Sequence, residues 1–122
     1  MKNSNYINIK AGMVNAQLDV LVYEDAGVTY AYAPALDLIG CGDNADEAMA
    51  SFGVVIEDYF EFGLKRGTLE EDLKKHHWVK EKKQEEFSLP KAWMLFVENK
   101  QMQNIYNGSF TKETVPVTYT SA

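Results

Sequence analysis

Pro34-Ala-Leu-Asp-Leu-Ile-Gly-Cys-Gly-Asp-Asn-Ala-Asp-Glu-Ala48 is the stretch from which the rest of the chain can be read. It combines the end of a strand, a short apolar return and a capped helix start. Asn44 is a good N-cap, because its side-chain oxygen can accept from free backbone N–H groups in the first turn. Glu47, three residues on, can reach back to that cap. Ala48, Met49 and Phe52 begin an apolar face, and Gly40 and Gly42 let the backbone turn sharply into the helix.

Upstream, Leu18–Glu24 and Val28–Pro34 are β-rich, and Glu24-Asp-Ala-Gly27 between them has the composition of a hairpin turn. Val28, Tyr30 and Tyr32 fall on one face of the second strand. Thr29, Ala31 and Ala33 fall on the other, where small side chains suit a closely approaching helix. Leu38–Gly42 can form a third, short strand. Tyr6–Lys10 alternates as a half-buried strand does, and Gly12–Asn15 reads as a loop. The helix from about Ala45 to Gly63 carries Ala48, Phe52, Val55, Ile56 and Tyr59 at helical spacing, with Glu57, Asp58 and Glu61 opposite. Met49, Phe60 and Phe62 widen its apolar arc, either toward a second layer of the same protein or toward an interface. Gly63 and Gly67 end it.

Further on, Thr68-Leu-Glu-Glu71 reads as a second capping box that opens a short helix to about His76. Lys80–Glu86 is a charged link. Ser88-Leu-Pro90 opens another helix, with Ala92, Leu95, Phe96, Met102 and Ile105 on its apolar side and Asn107-Gly108 as its stop. Val115–Tyr119 is extended, and Pro116 places it at a sheet edge, where a missing N–H is tolerated. The fold class that follows is α+β: an antiparallel-rich sheet with a long helix on one face, plus a C-terminal helix and edge strand.

The pattern carried by Pro34, Leu36, Gly40, Cys41, Gly42, Asp43, Glu47 and Ala48 resembles the signature of the HicB antitoxin family, with Asn44 where Thr or Ser is usual. The resemblance spans roughly residues 18–66, about half of the chain. It implies a partial ribonuclease H-like core over residues 1–66, with residues 67–122 as an extension packed on the same domain. It implies no catalysis and no cofactor. It implies instead a small basic partner of the HicA type, an RNA-cleaving toxin that the protein neutralises. A homo-oligomer is expected. Many family members add a ribbon-helix-helix or helix-turn-helix module that binds DNA, but no such module is legible after Phe87. The alternatives are a self-associating module without a toxin and a DNA-binding autoregulator acting through its C-terminal half.

Charge supports the choice of a basic partner. The formal net charge is −6. From Ala11 to Leu64 there are ten acidic residues and no Lys or Arg, whereas from Lys65 onward ten basic residues meet eight acidic ones. An acidic half repels phosphate backbones and attracts cations. Asp37, Asp43, Asp46 and Glu47 are the expected toxin-facing acids, with Tyr30 or Tyr32 as exposed aromatic anchors. Pro34, Leu36, Gly40, Cys41, Gly42, Asn44 and Ala48 are the structural part of the motif.

Other chemistry is poorly served. Nuclease catalysis needs carboxylates converging on two divalent ions. Here Asp43 and Asp46 flank a helix start, and Glu57, Asp58 and Glu61 line its outer side. His76 and His77 are the only histidines, and neighbours on a helix point about 100° apart, so they chelate poorly as a pair. Gly40-Cys-Gly42 lacks the Lys and Ser/Thr of a phosphate loop. The lone Cys41 allows no internal disulfide and reads as a small buried side chain. Lys74–Lys83 mixes cations with Trp78, a weak nucleic-acid signal interrupted by Glu81. Trp78 and Trp93 read as core or interface anchors. No run has the length of a membrane span, and the start lacks a signal-peptide core, so a cytoplasmic address is expected.

Overall fold

Val14, Ala16, Leu18, Val20 and Val22 occupy alternate positions of one strand, and all five are buried on the same face. That strand organises the molecule. The computed structural model describes residues 5–80, 86–89, 105 and 108–120. Over these the elements are β1 (Tyr6–Lys10), β2 (Met13–Asp25), β3 (Val28–Ala33), β4 (Leu38–Gly42), α1 (Ala45–Arg66), α2 (Leu69–Lys75), β5 (Val79–Lys80), β6 (Glu86–Ser88) and β7 (Phe110–Thr120). The fold is α+β, an antiparallel sheet with one long helix packed on it and a C-terminal strand added to it. Among the described residues no helix is long and apolar enough to cross a membrane.

Among the described residues β2 has three antiparallel partners. β7 runs beside it without a break from Met13 to Tyr23, and so takes one edge. β1 pairs with Met13–Gln17 and β3 with Leu21–Asp25, so they share the other edge end to end. Leu18, Asp19 and Val20 lie between them. Asn5 closes this gap: its Oδ1 accepts from the Asp19 N–H at 2.8 Å, and its Nδ2 donates to Asp19 Oδ2 at 3.2 Å. The buried Asp19 carboxylate also faces Lys112 Nζ at 3.4 Å and Thr114 Oγ1 at 3.4 Å. A buried charge held this way avoids most of the penalty of an unpaired one. β4 follows β3, and β6 joins β1 with β5 outside it.

β2 begins earlier than its β-rich core suggests. Only Ala11 and Gly12, both at positive φ, form the turn after β1. The expected loop Gly12–Asn15 is therefore mostly strand. Met13 and Asn15 point to the face away from α1, where exposed and polar groups are tolerated, while Val14 keeps the buried alternation. The C-terminal strand is likewise longer than Val115–Tyr119. Ser88 belongs to a strand that pairs with Tyr6 on β1, not to a helix start. The expected helix beyond Pro90, with Ala92, Trp93, Leu95, Phe96 and Met102, lies outside the described residues, as do Lys82, Lys83 and the rest of the charged link at 81–85. Ile105 is described. It is buried against Leu21 and Tyr32, on the sheet face opposite α1.

α1 buries Ala48, Phe52, Ile56, Phe60 and Gly63. Phe60 replaces Val55 and Tyr59 in the deepest stripe, because it continues the four-residue spacing from Phe52 and Ile56. Each of these large side chains contributes roughly 1.5–3 kcal/mol by leaving water. Ala31 and Ala33, both fully buried, face the helix as their size predicts. Met49 joins the core edge, whereas Phe62 is 59% exposed with the Arg66 guanidinium 4.8 Å above its ring.

The cap at Asn44 forms as read. Its Oδ1 accepts from the Glu47 N–H at 2.9 Å, and its Nδ2 donates to Glu47 Oε2 at 3.0 Å. Asn44→Ala should cost about 1 kcal/mol in urea unfolding, and Asn44→Ser should recover most of it. An unchanged midpoint for Asn44→Ala would show that the helix start needs no cap.

The second box does not close: Thr68 makes no side-chain cap bond. α1 ends at Gly67, at φ 67°, with the Thr68 N–H donating to the Gly63 carbonyl at 3.0 Å. That reversal holds Thr68 in the helical region, not in the extended conformation that a side-chain cap uses.

Candidate functional site

The motif stretch is held from three sides. Pro34, Ala35 and Leu36 are buried, and the Trp78 indole N–H donates to the Ala35 carbonyl at 2.9 Å. Trp78 itself is 2% exposed, so it is a core anchor. Asp37 turns the chain at φ 55°, a conformation that Asp tolerates better than most residues. Tyr32 Oη donates to Asp37 Oδ1 at 2.7 Å. Tyr32 is 0% exposed, which corrects its expected place as an exposed anchor. Its ring fills the small second core with Leu21 and Ile105.

Gly40 is buried where α1 crosses β4. A Cβ there would clash with the Phe52 backbone nitrogen, and would lie 2.7 Å from Phe52 Cα and 2.9 Å from the Ala48 carbonyl. Because the inward position must be glycine, strand alternation sends Cys41 outward. Cys41 is exposed, which corrects its reading as a buried side chain. Its neighbours across the sheet form a row. Cys41 pairs with Tyr30, Tyr23 with Tyr30, and Tyr23 with Phe110, spanning β4, β3, β2 and β7 on the face away from α1. Tyr23 and Tyr30 stack with ring centroids 5.3 Å apart, and Phe110 is 39% exposed. Tyr30 is half-buried and therefore remains available as an anchor.

The expected acids do not form one group. Asp43, Asp46 and Glu47 are all exposed at the start of α1. Gly42 pairs with Thr29, and Thr29 with Glu24, so the β2–β3 turn lies at the same end of the sheet. Glu24 and Asp25, both exposed, thereby join the cluster. Glu24, Asp43, Asn44 and Phe110 line one shallow groove. Asp37 sits at the opposite end of β4, roughly 20 Å away for six strand steps of about 3.3 Å. Glu24, Asp25, Tyr23 and Phe110 were not singled out from sequence. The hairpin register would have found the first three, since pairing the third strand back on the second brings its end beside the first turn.

A second polar cluster joins α1 to α2. Tyr59 Oη donates to Asp72 Oδ2, and His76 Nδ1 lies 3.5 Å from the same oxygen. Burial first, then the bond to Asp72, raises the Tyr59 pKa well above its usual value, so the phenol stays protonated. His77 occupies a positive-φ turn position and is exposed. Among the described residues no three His, Cys, Asp or Glu side chains are grouped to hold a metal ion.

Comparison of the chain with protein-family models, with curated proteins and with solved structures finds no match. The motif geometry and the acidic end of the sheet are therefore the basis for a functional reading.

Proposed function

We propose that this chain is a non-catalytic antitoxin of the HicB type, which captures a small basic RNA-cleaving toxin at the acidic end of its sheet. The observation that carries this reading is the collection of Glu24, Asp25, Asp43, Asp46 and Glu47 at one exposed end, inside a 54-residue segment (11–64) that contains no Lys or Arg. An RNA-binding face is cationic, and an acidic surface both steers and occludes it. The stacked pair Tyr23–Tyr30 and the adjoining Phe110 supply rigid aromatic area beside the acids, the residue type that most often anchors an interface. The likeness of the Pro34–Ala48 motif to the family points the same way.

The test is co-expression with the product of an adjacent gene for a small basic protein, read by growth rescue and by stopped-flow association of the purified pair. Asp25→Lys with Asp43→Lys should slow association roughly 10- to 100-fold at low salt and much less at high salt. Stability should fall by no more than about 1 kcal/mol, since neither acid makes a core contact and only Asp43, beside the α1 N-terminus, loses a favourable dipole interaction. Asp37→Asn, at the far end of β4, should leave the rate unaltered. An equal loss at Asp37, or none at the acidic end, would move the interface elsewhere. Failure of any basic partner to bind would sink the antitoxin reading itself.

A further inference from the structure

β7 is the outermost strand on its side of β2 among the described residues, and its side chains are exposed or half-exposed along its whole length. Which of its backbone groups point outward follows from one hydrogen bond. The Asp19 N–H donates to Asn5, on the β1 edge of β2, and therefore points away from β7. Asp19 pairs with Thr114. In an antiparallel ladder the two members of such a pair turn their N–H and C=O groups away from each other, so those of Thr114 face outward. Alternation sends Thr118 and Thr120 the same way, and puts the missing N–H of Pro116 on the outer edge.

Natural proteins protect a long sheet edge with charges, proline or short length. From Thr114 to Thr120 this edge reads Thr-Val-Pro-Val-Thr-Tyr-Thr, seven residues without a charge and mostly β-branched or aromatic, and Pro116 is its one guard. The inward stripe Val115, Val117 and Tyr119 reaches only the border of the core and stays half-exposed.

We propose that a second copy of this chain pairs antiparallel with that edge, about a dyad through Val117. Only registers that set outward-facing residues against each other are allowed, which restricts the choice to same-parity pairs. The register centred on Val117 sets Val115 against the partner's Tyr119 and Val117 against the partner's Val117, so the two half-exposed stripes merge. Thr114 then exchanges both backbone bonds with the partner's Thr120, and the proline removes one bond per copy. Registers centred on residues 116 to 113 set Glu113 in turn against the partner's Tyr119, Val117, Val115 and Glu113, an aromatic, an apolar or a like-charged neighbour each time. The paired segment lies along Met13–Asp19 of β2, away from Glu24, Asp25 and Asp43, so each copy keeps its acidic end free.

The test is light scattering behind size exclusion over about a hundredfold range of concentration, where association shows as a mass rising with concentration. The chain should approach twice its 13.8 kDa. Val117→Lys, which sets two cations face to face at the dyad, should hold it at monomer mass. Thr118→Pro should do the same while leaving the ladder to β2 intact, because the N–H it removes faces outward. In a Cys41→Ser background, Val117→Cys should form a disulfide-linked dimer on mild oxidation. A non-hydrogen-bonded pair across a dyad has its Cα atoms about 4.5 Å apart, within the range that disulfides accept. Thr111→Cys, outside the paired segment, should not link. Monomer mass at every concentration overturns the proposal. So does a dimer that survives both edge variants and fails to cross-link at position 117.

Discussion

Gly40→Ala is expected to cost about 3 kcal/mol or more, and to lower Tm by roughly 10 °C or more. The added methyl has nowhere to go. Its neighbours are the backbone of Phe52 and the carbonyl of Ala48 in the middle of α1, not the end of a movable side chain. The strand or the whole helix must shift, and the shift would loosen the packing of Phe52, which is 1% exposed. Gly53, one residue beyond Phe52, provides the contrast. It is exposed, and a Cβ there meets nothing within 4 Å. Gly53→Ala should therefore stabilise α1 by about 0.5–1 kcal/mol, because alanine loses less backbone entropy in a helix than glycine does. Urea unfolding of both variants decides the matter. Gly40→Ala as stable as the parent would mean that α1 does not sit against β4 at this distance.

The second large effect belongs to Trp78. Trp78→Ala should cost about 3–5 kcal/mol, since it empties a buried indole site. Trp78→Phe separates the two contributions. It keeps most of the ring but leaves the Ala35 carbonyl without its donor, which costs about 1–3 kcal/mol. Equal losses for the two variants would mean that the hydrogen bond alone holds the residue in place. Because Ala35 lies in the connection from β3 to β4, the loss should also loosen the motif stretch. Amide exchange at Leu36 and Leu38 is therefore expected to quicken in both variants.

Much of this arrangement is legible in the chain because it is governed by neighbours in sequence. The cap at Asn44, the four-residue apolar spacing along α1, the alanines of β3 and the edge proline each follow from a local rule. The failures share a different cause. Gly12 and Asn15 are residues of loop type, yet β2 runs through Met13, Val14 and Asn15, because their place is set by β7 about a hundred residues away: Thr118 Oγ1 lies 3.4 Å from Asn15 Oδ1. Cys41 and Tyr32 exchange their expected exposures for tertiary reasons. One is displaced outward by the helix at Gly40, and the other is covered by Ile105. The acids were grouped by sequence distance, whereas the sheet separates Asp37 from Asp43 and recruits Glu24 and Asp25. Thr68 has the right residue type for a cap, but the preceding helix end had already fixed its backbone.

The position of β7 has a temporal consequence. Its ladder joins residues as far apart as Asp19 and Thr114, a separation of 95 positions. Chains made from one end expose β2 first, and its edge from Met13 to Tyr23 stays bare until nearly all of the described residues have been synthesised. Pairings of such long range are also the slow ones in refolding, since much loop entropy must be lost before any bond forms. The nascent chain therefore carries an open, valine-rich strand while its helix and first hairpin are already in place. Synthesis stalled before Phe110 should release a species that aggregates or holds chaperones, whereas a chain extended through Thr120 covers that edge with β7.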